Sequence, residues 1–150
     1  KSMPSSCKVS TLRTELQQAF NLQFPLQTLH CNIAQGLDTA SISSDPLLSA
    51  AFLNVLANAA HANESAGAVN VKLTVQAHER YVQWRIQDEG GGFEAEQLTR
   101  LGSGVIASEQ GLGVALWITN ATIERCGGRL ALNNTEQGAC IDIFLPLERL

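Results

Sequence analysis

The sequence predicts an α/β two-layer sandwich: a mixed, mostly antiparallel sheet with about three helices on one face. Three observations predict it. Two pairs of alternating apolar runs, each pair joined by a short connection, read as hairpins. Apolar residues at helical spacing mark three separate segments. Strands and helices do not alternate strictly, which disfavours a doubly wound parallel sheet and a nucleotide site of Rossmann type.

Residues 1–9 are polar and read as a loose leader. Over residues 10–20, Leu12, Leu16, Ala19 and Phe20 recur at helical spacing. Behind Pro25, the run from Leu26 to Ile33 reads as a strand. Residues 35–44 are rich in Gly, Ser, Thr and Asp and read as loop. Ser44-Asp45-Pro46 opens a long helix that runs to about Asn63, with Ser44 or Asp45 as N-cap and Pro46 in the first turn. Gly67 ends the connection. Val69, Val71, Leu73, Val75 and Ala77 alternate with Asn70, Lys72, Thr74 and Gln76, the pattern of a strand with one buried face. After the turn His78-Glu79-Arg80, the residues Val82, Trp84, Ile86 and Asp88 share one face of the next strand. Residues 93–110 show no strong period. A helix from about Leu112 to Cys126 stops at Gly127-Gly128. Arg129 to Asn133 and Ala139 to Leu145 close the chain as the second hairpin, ended by Pro146.

The chain has 150 residues, 45% of them hydrophobic and 16% charged, which fits one compact domain with a real core. A net charge of −4 without clustered Lys and Arg argues against a nucleic-acid partner. No apolar stretch reaches the roughly 18–20 residues needed to cross a bilayer. The start, Lys1-Ser2-Met3-Pro4, has no signal-peptide core behind it and reads as a cut inside a longer protein, with room for membrane or sensor segments upstream. Cys7, Cys31, Cys126 and Cys140 form no C-x-x-C pair and have no His at zinc-ligand spacing. They read as reduced, unbridged thiols of a cytoplasmic domain. Cys126 and Cys140 read as small core residues, and Cys7, in the polar leader, as the one open to reaction.

Three segments carry chemistry. On the long helix, Asn54, Asn58 and His61 stand at i, i+4 and i+7, which places them on one stripe. An amide oxygen is a hard ligand suited to Mg²⁺, and a histidine can reach a phosphate oxygen. The same stripe also fits the plain solvent side of an amphipathic helix. The second segment is Asp88-Glu89-Gly90-Gly91-Gly92-Phe93. A carboxylate at a buried strand end needs a partner, and an adenine amino group is a suitable donor. Glycines then let backbone approach a ligand; an ordinary strand-ending turn uses the same residue types. The third is Gly111-Leu112-Gly113 at a helix start, where exposed amides form an anion site; a helix behind a flexible loop reads the same way.

The combination is more specific than its parts. N-x-x-x-N-A-x-H on a helix precedes a hairpin ending D-x-G-x-G; then come a loop of about twenty residues and G-L-G opening a helix that ends in Gly-Gly. With Asp45-Pro46-x-Leu48 and Phe144-Leu145-Pro146, this chain resembles the ATP-binding catalytic domain of bacterial sensor histidine kinases, in the superfamily of gyrases, chaperones, these kinases and MutL. The resemblance runs from about Leu26 to Leu147.

It implies a Bergerat-type ATP-binding fold and specific roles. Asn58 coordinates Mg²⁺, and His61, three residues on, touches the phosphates. Asp88 binds the adenine amino group, with Gly90 and Gly92 beside the nucleotide. Gly111, Leu112 and Gly113 wrap the phosphates, and residues 93–110 are the ATP lid. Relatives that hydrolyse ATP carry a glutamate four residues before the metal-binding asparagine, as general base for water. Asn54 stands there, and an amide cannot take a proton near neutral pH. This favours phosphoryl transfer to a protein side chain. The catalytic set is then Asn54, Asn58 and His61. The acceptor histidine belongs to a separate helical dimerisation domain of the same protein, since His30, His61 and His78 have no such context, and a response regulator follows downstream. The full-length protein is expected as an inner-membrane-linked homodimer with this domain in the cytoplasm.

The sequence also departs from the family. Leu101-Gly102-Ser103-Gly104 replaces a phenylalanine-rich lid box, Glu109 stands where the first glycine of the fuller glycine motif would, and Ala62 replaces an aromatic. These changes bear on affinity and lid closure more than on fold. The lid and the end of its following helix look most like the RegB/PrrB redox-sensing kinases. Two other functions fit parts of the pattern: an anti-sigma-factor-type serine kinase, and a degenerate module that keeps the fold for protein contacts.

Overall fold

The computed structural model of the chain describes residues 5–94 and 112–148, the second stretch with side chains from Leu116 onward. Its elements run β1 (Ser5–Lys8), α1 (Val9–Gln23), β2 (Thr28–Ile33), β3 (Ser41–Ser44), α2 (Leu48–Ala66), β4 (Asn70–His78), β5 (Tyr81–Gln87), α3 (Leu112–Arg125), β6 (Arg129–Asn134) and β7 (Ala139–Pro146). Five strands make one sheet in the order β2-β4-β5-β7-β6. The β2–β4 pairing is parallel and the other three are antiparallel. This is the mixed, mostly antiparallel sheet that the sequence predicts.

Period-two alternation decides which face is covered. β4 buries Val71, Leu73 and Val75, β5 buries Val82, Trp84 and Ile86, and β7 buries Ile141, Ile143 and Leu145. Against them α1 sets Leu12, Leu16 and Phe20, α2 sets Leu48, Phe52, Val55 and Leu56, and α3 sets Ile123. Phe52 meets Trp84 edge-on with ring centroids 4.9 Å apart, the arrangement favoured by aromatic quadrupoles. The other face carries hydrogen-bonded polar side chains. Gln76 donates to Gln83, Gln83 donates to Asp142, and Arg85 reaches both oxygens of Asp142 at 2.8 and 3.2 Å.

Two segments differ from expectation. Ser5–Lys8, within the expected leader, pairs antiparallel with Ser41–Ser44, within the expected loop. Serine-rich strands show no apolar alternation; only Ile42, fully buried, anchors β3 to the core, bridging to Leu147. The start of α2 moves with it. Ser44 is committed to the ladder with Ser5, so neither it nor Asp45 caps the helix. The N-cap is Leu47, without a side-chain bond. Asp45 instead accepts the Leu47 N–H at 2.8 Å, an Asx-type turn that holds Pro46 outside the helix. At its other end α2 continues to Ala66, beyond the expected Asn63, because the chain turns only where Gly67 adopts φ 74°.

All four cysteines are free. Burial pushes the thiols of Cys126 and Cys140 up to about 11, with nearby Asp45 adding to the first and Asp142 to the second. Cys7, in β1 rather than in a loose leader, is half-buried, and that burial raises its thiol as well. A thiol raised from 9.0 on folding contributes stability that is complete below pH 9 and lost as pH rises through about 11. Thermal unfolding followed from pH 8 to 11 should therefore show falling stability over the last two pH units. Replacing both Cys126 and Cys140 by Ala should flatten that slope.

Candidate functional site

The site forms where β5 leaves the sheet beneath α2. Asp88 lies one residue past β5, 7% exposed. Its backbone continues the ladder, donating to the Ala139 carbonyl at 3.1 Å. Its Oδ1 accepts the N–H of Gly90 at 2.9 Å and of Ala139 at 3.1 Å. Those two bonds lock the carboxylate, and both end on the same oxygen. Oδ2 receives neither of them.

Asp88 lines a cavity of about 100 Å³ together with Val55, Asn58, Ala59, Ala62, Ile86, Gly92, Phe93, Ala139 and Ile141. That is well below the roughly 300–1,000 Å³ of drug-sized ligand sites. It suits one flat ring of a ligand whose remainder lies outside. The walls are apolar, with polarity concentrated at Asp88 from the sheet side and Asn58 from the helix side. The Asn58 Nδ2 is buried and has no hydrogen-bond partner among the described residues. An orphaned amide inside a pocket is costly, and a bound ligand offers it a partner.

The expected stripe on α2 is only partly assembled into this pocket. Asn58 lines it. Asn54 is exposed one turn earlier and does not. His61 is also exposed, with Nδ1 3.1 Å from Glu64 and its ring edge-on to Phe24 at 5.4 Å. Gly111 falls outside the described residues, as does most of the expected lid. Leu112 and Gly113 begin α3.

The glycines act through close approach. A β-carbon on Gly90 would stand 2.7 Å from the Ala62 Cβ, so α2 packs directly on this loop. Ala62 is small enough for that contact. Gly92 adopts φ 80°, a conformation that glycine takes freely. Gly138, absent from the expected site, backs it from the β6–β7 turn: a β-carbon there would meet Asp88 Oδ1 at 2.7 Å and Gly90 N at 2.9 Å.

Asn63 is another residue that the sequence reading does not single out. It is fully buried. Its Nδ2 donates to Gln27 Oε1 at 3.0 Å and to the Asn70 carbonyl at 2.8 Å, while its Oδ1 accepts the Glu89 N–H at 2.7 Å. One side chain thus ties α2 to the start of β4 and to the loop behind Asp88. The available signal was an asparagine at i+3 from Ala60 and i+7 from Leu56, on the apolar face.

Comparison with known proteins gives the chain its family. The model for histidine kinase-, DNA gyrase B- and HSP90-like ATPases matches residues 44–149, and the chain belongs to that family. Within it, this is a domain of the histidine kinase type. A putative NtrY-like sensor histidine kinase of Rickettsia felis is 32% identical over 101 residues, covering 66% of this chain and 17% of that protein. Sporulation kinase A of Bacillus subtilis is 26% identical over 135 residues, covering 88% of this chain and 22% of that protein. The chain spans less than a quarter of either relative. The catalytic domain of the histidine kinase ThkA superimposes with a TM-score of 0.79 at 18% identity, over 97% of this chain and 96% of that one. The ATP-binding domain of PrrB from Mycobacterium tuberculosis gives 0.71 at 20% identity, over 99% and 100%. At these identities both likenesses speak for the fold alone, PrrB included.

Proposed function

We propose that this domain binds ATP with Mg²⁺ and presents the γ-phosphate to a histidine on a separate helical dimerisation domain of the same protein, with a response regulator downstream. The observation that carries the reading is a ring-sized apolar pocket with one fixed buried carboxylate and one half-buried amide.

Asp88 would accept a hydrogen bond from the adenine amino group, and Val55, Ile86 and Ile141 would cover the ring. The Asn58 amide oxygen would hold Mg²⁺, which when bound neutralises phosphate charge in phosphoryl transfer. Among the described residues, no cluster of three or more His, Cys, Asp or Glu could hold a metal alone. One amide plus phosphate oxygens fits the chemistry of Mg²⁺, which keeps few protein ligands. His61 would reach the phosphates by releasing Glu64, and Gly111, Leu112 and Gly113 would offer backbone donors at the start of α3. Asn54 supplies no base for water, which favours transfer to a side chain over hydrolysis. No helix among the described residues is long and apolar enough to cross a membrane. The same reading would make the full-length protein an inner-membrane-linked homodimer with this domain in the cytoplasm.

Titration of the chain with a non-hydrolysable ATP analogue, with and without Mg²⁺, tests this. The wild type should bind more tightly with Mg²⁺. Asn58→Ala should lose that enhancement, a drop of about tenfold, and weaken metal-free binding by a smaller factor, for the partner that its amide donor loses. A wild type that binds nothing at millimolar analogue would overturn the reading.

A further inference from the structure

We infer that Asn134, outside the motifs that mark the site, is a positioning residue that sets the outer rim of the nucleotide pocket. The inference rests on the ATP-binding reading and adds a residue to it. Asn134 ends β6, remote in sequence from the D-x-G-x-G segment. Its Oδ1 accepts the Phe93 N–H at 2.7 Å, and its Nδ2 donates to the Phe93 carbonyl at 2.8 Å. One side chain thus satisfies both backbone groups of one residue, as a neighbouring strand would. Only a side-chain amide offers a donor and an acceptor at that spacing.

The grip falls on the pocket wall. Gly92 and Phe93 both line the cavity. Gly92 brings its backbone under Asn134 with φ 80°, where a β-carbon would stand 3.0 Å from Oδ1. The turn that follows Asn134 holds the other end of the segment, since Ala139 donates to Asp88 and Gly138 backs it. The β6–β7 hairpin therefore clamps D-x-G-x-G at its first residue and just beyond its last. Asp88 fixes one part of the pocket's lining, and Asn134 fixes where Phe93 stands in it.

The test compares wild type, Asn134→Ala and Asn134→Asp. Asp keeps the acceptor but turns a second oxygen toward the Phe93 carbonyl. Each is titrated with ADP and with a non-hydrolysable ATP analogue, with and without Mg²⁺, and amide exchange at Phe93 is measured without nucleotide. Asn134→Ala should weaken both nucleotides by about three- to tenfold, the usual worth of one to two exposed hydrogen bonds. The factor should be the same with and without Mg²⁺, unlike that of Asn58→Ala, and Asn134→Asp should do no better. Phe93 exchange should speed up by about tenfold while the melting temperature stays within about 2 °C. A purely structural residue would move the melting temperature and leave Phe93 exchange in step with global unfolding, which would overturn the inference. So would affinities within twofold of wild type. If Asn134→Ala does not fold, Asn134→Ser, which keeps one bond, carries the same comparison. A wild type that binds neither nucleotide sinks the ATP reading; Phe93 exchange unchanged by the substitution sinks the role of Asn134 on its own.

Discussion

Asp88→Asn is expected to lower nucleotide affinity by at least about a hundredfold while leaving the fold intact. The asymmetry of the carboxylate is the reason. Oδ1 already accepts two backbone N–H groups, from Gly90 and Ala139. An asparagine must place its oxygen there, because its NH₂ would face two donors. The NH₂ then takes the Oδ2 position, where, on the ATP-binding reading, it would point a donor at the adenine amino donor. The substitution removes a charge-assisted bond, worth about 1.5–3 kcal/mol, and leaves a buried donor unpaired, costing about 1–3 kcal/mol more. The internal bonds of the turn survive, so the melting temperature should change little. Calorimetric titration with an ATP analogue, beside a melting curve, checks both halves. Affinity within tenfold of wild type would remove Asp88 from the recognition of the base.

Asn63→Ala carries the second large effect, on stability as well as on binding. The side chain is fully buried and makes three hydrogen bonds, to Gln27, the Asn70 carbonyl and the Glu89 N–H. Alanine leaves two part-buried backbone groups and one buried amide oxygen without these partners, at about 1–3 kcal/mol each, less what water can recover. A net loss of about 2–4 kcal/mol follows, or roughly 5–15 °C in melting temperature for a domain of this size. Because Glu89 sits directly behind Asp88, nucleotide affinity should fall as well. Asn63→Asp, which keeps the acceptor for Glu89 and loses both donations, should destabilise while sparing more of the binding. A melting temperature within about 2 °C of wild type for Asn63→Ala would show that the strut does not carry load.

Much of this could be read along the chain. The apolar alternation of Val71, Leu73 and Val75, and of Val82, Trp84 and Ile86, marked the covered sheet face correctly, because a pleated strand sorts side chains by parity. Asp88 was placed by the same rule, sharing parity with three core residues. Asn58 stands out through its spacing within a motif, and Gly127 through the backbone conformation that ends a helix; Gly67, read as closing a connection, ends α2 itself. Such features are local: a few neighbouring residues and one periodicity determine them.

The residues that escaped act across distance. Asn63 reaches Gln27 and Glu89, 36 and 26 residues away. Asn134 reaches Phe93, 41 residues away, from just beyond the strand read over Arg129 to Asn133. Gly138 backs a carboxylate contributed by another strand. β1 and β3 pair with each other through serines that carry no apolar pattern. The sequence alone determined the class of fold, the family and the chemistry available at Asp88 and Asn58, because periodicity and motif spacing are properties of contiguous chain. Only the tertiary structure decided that Asn58 faces the pocket while Asn54 and His61 do not, and which side chains hold the pocket's backbone in place. Those outcomes depend on how α2 packs over the ends of β5 and β7, and a hydrogen bond between distant residues leaves no mark on the local order of either.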